Sequence, residues 1–126
     1  MEGLIPGLYR YLALEHLLQP VNLTEGLANK VIEASRNQKF IGDSAVTFIW
    51  IAVTERMTWR YCERGYRYLF LDAGHVCQNL YLSAESISCG ACAIDAYSDD
   101  AMNQLLNIDG EDQFVIYMAT VGKREA

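Results

Sequence analysis

The pattern of apolar and polar positions along the chain predicts several short strands. Residues 8–12 predict a strand with two tyrosines on one face, because strand side chains alternate between faces. Residues 45–53 are apolar on both alternating faces, which favours a central strand covered on both sides. Residues 114–121 predict a second buried strand. Pro20 is expected to end a short segment that follows the first strand.

Helical spacing is clearest over residues 71–87, where an apolar position recurs every three or four residues. The stripe comprises Ala73, Val76, Cys77, Leu80, Ala84 and Ile87. Because it is wider than one side of a small sheet needs, we expect this helix to be central and to contribute to a homodimer interface. Residues 54–68 predict a preceding helix, interrupted at Gly65.

Two further helices are predicted from their start signals. Thr24 is a suitable N-cap for a helix that reaches about Asn37. Ser98 or Asp99 can cap a short helix, which follows a predicted loop over residues 88–98. The sum is three strands and about four helices. Since helices and strands mix without regular βαβ alternation, the predicted class is α+β.

The composition is that of one domain, residues 1–126, able to bury a core of its own. Hydrophobic residues make up 52% and charged residues 21%, which is typical of a globular protein. Ten Lys and Arg against sixteen Asp and Glu give a net charge of -6. No nucleic-acid partner is expected, because phosphate binding needs clustered basic charge. We also expect no membrane partner and a cytoplasmic location, since neither a membrane-length apolar run nor a signal peptide is visible.

The cysteines and histidines do not predict a metal site. Cys89 and Cys92 form the single closely spaced cysteine pair, whereas a structural zinc site usually has two such pairs. The pair could be zinc ligands or a thiol-redox pair. The favoured interpretation is that these residues are small side chains packed in a turn. His75 is expected to pack within the long helix and to bond a backbone carbonyl. Composition and spacing alone therefore indicate an α+β domain without an assigned activity.

Four collinear segments carry a family resemblance. They are residues 7–11 with 16–18, residues 60–68, residues 71–80 running on to 90–94, and residues 107–110 followed by 121–123. In this order and spacing they resemble the C-terminal half of the nitroreductase superfamily, and among its groups the SagB-type dehydrogenases. The resemblance covers nearly the whole chain.

The resemblance implies a sheet flanked by helices, a homodimer and FMN as the cofactor. It also implies hydride transfer between NAD(P)H or a small-molecule substrate and the flavin. The family's flavin loop corresponds to residues 93–97, so the implied cofactor-binding residues are Ala93, Ile94, Asp95 and Ala96. The N–H groups of Asp95 and Ala96 would face flavin N5 and O4. Lys123 and Arg124 correspond to the position from which a C-terminal cation reaches the FMN phosphate.

Three departures from the family pattern qualify this expectation. Azoline-oxidising members use a Lys-Tyr pair in catalysis, where this chain has Arg60 and Tyr61, the implied catalytic residues. Because arginine stays protonated, it is a poor general base for azoline dehydrogenation. One glycine, Gly90, stands where the family has two. The third departure is the family's N-terminal half, with its phosphate-binding arginines, which has no counterpart upstream of Gly7.

Two hypotheses follow from the resemblance. The first is an FMN-dependent oxidoreductase present as a truncated or split subunit, completed by a second copy or by a partner chain that supplies the other half. The alternative is a non-catalytic remnant that acts as a dimerisation or interaction module. Because the half that carries most phosphate ligands is missing, we expect the isolated chain to bind FMN weakly or not at all, and the remnant would bind no flavin.

Overall fold

The computed structural model describes residues 2–125. Its strands are β1 (Leu8–Leu12), β2 (Leu17–Asn22), β3 (Val46–Val53), β4 (Cys89–Ile94) and β5 (Gln113–Lys123). Its helices are α1 (Leu27–Ala34), α2 (Phe40–Asp43), α3 (Glu55–Tyr61), α4 (Arg64–Ser86) and α5 (Asp99–Leu105). Helices and strands alternate irregularly, so the predicted α+β class is confirmed.

The main sheet has three antiparallel strands in the order β3-β5-β4. The central strand is β5, whose residues are mostly buried, as its apolar pattern predicted. The expectation that residues 45–53 form a central strand was wrong, because β3 lies at the edge of the sheet. The register of β3 and β5 shifts between Trp50 and Ile51, which leaves Ile116 as an extra residue on β5.

A separate two-stranded hairpin precedes the sheet. β1 pairs with β2 in antiparallel register. The expectation that Pro20 ends a segment was wrong, because Pro20 lies within β2 and pairs with Tyr9. Proline is tolerated there since a strand of a two-stranded hairpin has one unpaired edge, where a missing N–H costs nothing.

One face of the main sheet packs on α1, α2 and α5 and carries the larger core. Met102 of α5 and Met118 of β5 are both fully buried in it. The other buried members of this core are Ala34, Ile41, Ile94, Tyr97 and Val115. Leu105 and Ile108 pack against its margin. This face therefore holds a continuous apolar cluster made by residues distant in sequence.

The opposite face of the sheet packs on α4. Ala73, Cys77 and Ala84 are buried, which confirms part of the predicted stripe. Val76 and Ile87 from the same stripe are exposed. His75 is also exposed, so the expectation of a packed histidine was wrong. None of the helices within residues 2–125 is long and apolar enough to cross a membrane.

Several element ends differ from the predicted ones. α1 begins after Gly26, which has a φ of 81°, and not after Thr24. The break before the long helix lies at Cys62, with a φ of 49°, while Gly65 lies inside α4. The predicted cap of α5 is confirmed, because the Ala101 N–H donates to Ser98 Oγ at 3.3 Å.

The chain exposes more surface than a closed domain of its size. A folded monomer of 14.2 kDa exposes about 6,800 Å² by the usual scaling. This chain exposes 9187 Å², which is about 2,400 Å² more than that scaling. Much of the difference is apolar side chain on the hairpin and on α4.

Candidate functional site

The segment that follows β4 presents two neighbouring backbone donors. Asp95 and Ala96 are both exposed, and within residues 2–125 neither of their N–H groups donates to another residue. Their carbonyl groups are fixed, since Asp95 accepts from Tyr97 N–H at 3.1 Å and Ala96 accepts from Gln38 Nε2 at 2.9 Å. The segment is therefore anchored through its carbonyl groups while its two N–H donors have no acceptor within residues 2–125. Sequence reasoning missed Gln38, because a contact across 58 positions leaves no local signal.

The end of this segment is bonded to β5 beyond the last β4 pair, where β5 still pairs with β3 but has no strand on its other side. The Tyr97 hydroxyl donates to the Val115 carbonyl at 3.1 Å, and the Val115 N–H donates to Asn103 Oδ1 at 2.9 Å. The side chains of Tyr97 and Asn103 thus satisfy the buried C=O and N–H groups of Val115 on the side of β5 where no strand pairs. Burial, followed by the Asp99 and Asp95 carboxylates, raises the pKa of the Tyr97 phenol to about 12.

Ala93 and Ile94 lie at the end of β4 and not in a loop. The expectation of a loop over residues 88–98 was wrong for these positions. The Ile94 side chain is 2% exposed and belongs to the core. The Ala93 N–H donates to the Tyr81 hydroxyl of α4 at 2.7 Å. Among the N–H groups of residues 93–96, those without a described acceptor are consequently the ones of Asp95 and Ala96.

The two C-terminal cations lie at the other end of β4. Lys123 pairs in register with Cys89, and β4 extends about 17 Å from Cys89 to Ile94. The Arg124 guanidinium forms an ion pair with the Glu85 carboxylate, with Nη1 and Oε1 3.2 Å apart. Since both side chains are more than half exposed, this pair contributes little to stability. The structure does not bring these cations together with Asp95 and Ala96.

Arg60 and Tyr61 lie at the C-terminal end of α3. The Arg60 Cζ atom is 5.4 Å from the centroid of the Tyr61 ring. The Tyr61 ring packs edge-on against Tyr68, with centroids 4.8 Å apart. Both residues are exposed, and neither lines the cleft that contains Asp95. The pair therefore presents a fixed cation and a hydroxyl at a separate place on the surface.

An acidic cleft of about 990 Å³ lies beside the Asp95 segment. Its carboxylates are Asp95, Asp99, Asp100, Asp109 and Glu111. Backbone N–H groups of Gln113 and Glu111 bond the Asp109 carboxylate and lower its pKa. Among the described lining residues there is no Lys, Arg or His. A phosphate dianion would be repelled here, so this cleft is unsuitable for the phosphate of a nucleotide.

The cysteines of β4 point away from each other. Residues three apart in a strand lie on opposite faces, so Cys89 and Cys92 do not converge on one ligand. The favoured interpretation of a turn was wrong, because both residues belong to β4. Burial raises the pKa of the Cys77 thiol, which disfavours the reactive thiolate. Within residues 2–125 no group of three or more His, Cys, Asp or Glu side chains is placed to hold a metal ion.

Comparison with known proteins identifies the family. The sequence model of the nitroreductase family matches residues 7–123, and this chain belongs to that family. A nitroreductase homologue of Methanocaldococcus jannaschii, MJ1384, is 30% identical over 122 residues. That alignment covers 97% of this chain and 60% of the relative. The chain thus spans about 60% of the length of the curated relative that it matches.

Solved structures share the fold. A nitroreductase homologue of Anabaena variabilis superposes with a TM-score of 0.87 at 29% identity, over 98% of this chain and 25% of that one. A chain of the E. coli microcin synthetase McbBCD complex gives 0.81 at 21% identity, over 94% and 44%. An FMN-dependent nitroreductase of Clostridium difficile gives 0.61 at 16% identity, over 79% and 60%. The fold is therefore nitroreductase-like, as the sequence resemblance implied.

Proposed function

We propose that this chain is the C-terminal part of an FMN-dependent oxidoreductase of the SagB-type dehydrogenase group, acting as a truncated or split subunit. The observation that carries the proposal is the pair of free N–H groups on Asp95 and Ala96. They lie on an anchored segment at the position that faces flavin in the family. Two adjacent, preoriented donors fit the heteroatoms of a flavin ring, which accept hydrogen bonds and gain negative charge on reduction.

FMN, when bound, would supply hydride chemistry with NAD(P)H or a small-molecule substrate. The part of this chain is to orient the ring through main-chain donors, which side-chain variation at Asp95 and Ala96 does not remove. Arg60 supplies a permanent positive charge, and Tyr61 supplies a hydroxyl that can donate a hydrogen bond. Since Arg60 cannot serve as a base near neutral pH, we assign this pair to substrate positioning and not to azoline oxidation.

The phosphate is the part of FMN that this chain accommodates least. Lys123 and Arg124 are its candidate ligands, but Arg124 is paired with Glu85 and Lys123 lies at the far end of β4. A phosphate dianion needs several charge-assisted donors. We infer that most of them come from a partner polypeptide that supplies the other half of the family fold. The four free cysteines suit a reducing compartment such as the cytoplasm.

A comparison of FMN with riboflavin, which lacks the phosphate, tests whether this chain binds the flavin ring and a partner binds the phosphate. We expect the isolated chain to bind FMN with a dissociation constant above about 1 μM, and to bind riboflavin within about threefold of that value. Flavin fluorescence during titration reports both constants. Ala96→Pro removes one donor and should weaken both flavins, whereas Ala96→Gly retains the N–H and should weaken neither. If FMN bound more than about tenfold more tightly than riboflavin, this chain would itself bind the phosphate.

A second candidate function is a non-catalytic dimerisation or interaction module. The observation that favours it is the surface excess of about 2,400 Å² over a closed monomer. Under this function the surface serves assembly and the flavin donors are unused. The absence of any fluorescence change with either flavin, up to about 1 mM, would favour this module over the oxidoreductase.

A further inference from the structure

One side chain joins the C-terminal end of α1 to the segment that follows β4. The Gln38 Nε2 atom donates to the carbonyl groups of Ser35 and Ala96, each at 2.9 Å. A side-chain amide nitrogen carries two N–H groups, so one donor is available for each carbonyl. Beside this contact, the Ser98 N–H donates to the Ala34 carbonyl at 2.8 Å. The end of α1 thus holds the segment at two points, once through main chain and once through the side chain of Gln38.

The backbone between α1 and Gln38 is strained. Arg36 and Asn37 have φ angles of 55° and 57°, in the left-handed region that residues with a side chain rarely adopt. The turn keeps Gln38 at the end of the helix, where its own N–H donates to the Ser35 carbonyl at 3.3 Å. Such a backbone costs conformational free energy and persists only where the surrounding contacts fix it. The position of Gln38 is therefore a built feature of this fold.

Peptide geometry carries the effect of Gln38 to the Ala96 N–H. A peptide unit is planar, and its C=O and N–H groups point in opposite directions. By holding the Ala96 carbonyl, Gln38 also directs the N–H of Tyr97, which donates to the Asp95 carbonyl at 3.1 Å. This bond closes a γ-turn centred on Ala96 and fixes the peptide that joins Asp95 to Ala96. The direction of the Ala96 N–H, which belongs to that peptide, consequently depends on Gln38.

The neighbouring donor, the Asp95 N–H, is held in a different way. It belongs to the peptide that begins at Ile94, whose side chain is buried in the core and whose backbone pairs with Met118. Gln38 makes no contact with this peptide. The two donors of the candidate site thus have separate supports. The sheet and the core hold the N–H of Asp95, whereas α1 holds the N–H of Ala96 through Gln38.

We propose that Gln38 is a positioning residue for the flavin, because it holds the Ala96 N–H in the direction from which it donates to the ring. The inference rests on the proposed flavin function of this segment and adds to it a residue from a distant part of the chain. A donor that is already held in place loses less conformational entropy when the ligand binds. Gln38 therefore raises the affinity for flavin by acting through the peptide groups of Ala96 and Tyr97.

NMR relaxation of backbone amides in the flavin-free chain tests this support. The order parameter of Ala96 should be near 0.85 in the wild type and below about 0.6 in Gln38→Met, which keeps the side-chain length but has no donor. The Asp95 amide should stay near 0.85 in both proteins. Gln19→Met makes the same substitution at an exposed position of the hairpin and should alter neither amide. A mobile Ala96 in the wild type, or an equally rigid Ala96 in Gln38→Met, would overturn the proposal.

Riboflavin titration of the same proteins, followed by flavin fluorescence, tests the consequence for binding. Gln38→Met should raise the dissociation constant at least about fivefold, and Gln19→Met should leave it unchanged. If Gln38→Met does not fold, Gln38→Glu repeats both tests, since it keeps the side-chain shape but places a carboxylate against two carbonyl oxygens. A wild type that binds no riboflavin up to about 1 mM would refute the flavin function itself. Equal binding by the wild type and a folded Gln38 variant would refute the positioning role alone.

Discussion

The two faces of the main sheet differ in how completely they are covered. The face toward α1, α2 and α5 buries a continuous core, in which Met102 and Met118 are fully inaccessible. The face toward α4 buries a smaller cluster around Ala52, Ala73 and Ile116. On the far side of α4, Leu71 and Leu82 are 53% and 61% exposed. The first face is thus a fully covered core, whereas the second is covered by a helix whose own outer surface is apolar and exposed.

This contrast distinguishes the covered core, which the chain stabilises by itself, from the exposed surface of α4, which can contact a partner. This covered core contains Ile94 and Tyr97 and lies next to Asn103, and these residues hold the segment that carries Asp95 and Ala96. An apolar helix surface of this kind is typical of a protein–protein contact. We infer that the geometry of Asp95 and Ala96 is set within this chain, while the apolar outer surface of α4 is offered to a partner.

The largest expected loss of stability comes from a substitution in the covered core. Met118→Ala removes a fully buried side chain and should lower the free energy of unfolding by about 2–5 kcal/mol. Leu82→Ala, on the exposed side of α4, should change it by less than about 0.5 kcal/mol in the isolated chain. Urea denaturation followed by circular dichroism measures both. Equal losses for the two variants would show that the outer side of α4 is already packed.

An intermediate loss of stability is expected at Asn103, whose side chain accepts a β5 N–H on the side where no strand pairs. Asn103→Ala leaves the buried Val115 N–H without an acceptor, which should cost about 1–3 kcal/mol of unfolding free energy. Gln104→Ala, the exposed neighbour on α5, is the matched control and should stay within about 0.5 kcal/mol. If Asn103→Ala matched the control in the same denaturation assay, the closure of β5 by Asn103 would be unimportant.

The smallest effect concerns the Tyr97 phenol. Its pKa is raised from 10.0 to about 12, so the folded state favours the neutral form. The associated stability is present below pH 10 and is lost as the pH rises from 10 toward 12. Tyr97→Phe loses the hydrogen bond to Val115, about 1 kcal/mol near neutral pH. The stability difference between wild type and Tyr97→Phe should shrink above pH 10; a constant difference would contradict the raised pKa.

The elements with strong local patterns were predictable from sequence. The stripe of α4 and the apolar run of β5 gave their type and approximate position, and Ser98 gave the start of α5. β4 was not predictable, because Cys, Gly and Ala have weak strand preference and pairing with β5 decides their conformation. The edge position of β3 was equally hidden, since a strand apolar on both faces does not reveal how many neighbours it has.

For the candidate site, the sequence supplied a proposed position but not the geometry. Family resemblance pointed to residues 93–97. Which N–H groups are free depends on Tyr81 and Gln38, whose contacts join distant parts of the chain. The separation of Lys123 from Asp95 follows from the direction of β4, which the sequence pattern had presented as a loop. Long-range pairing therefore supplied what local patterns could not.

The most direct test of the account is amide mapping by NMR during titration of the isolated chain with riboflavin. If the flavin ring is held by main-chain donors, the amide signals of Asp95 and Ala96 should shift most, because both N–H groups gain an acceptor. Signals of Lys123 and Arg124 should move little, since riboflavin carries no phosphate. Largest shifts at the C-terminal cations or around Arg60 and Tyr61, with Asp95 and Ala96 unmoved, would contradict the account.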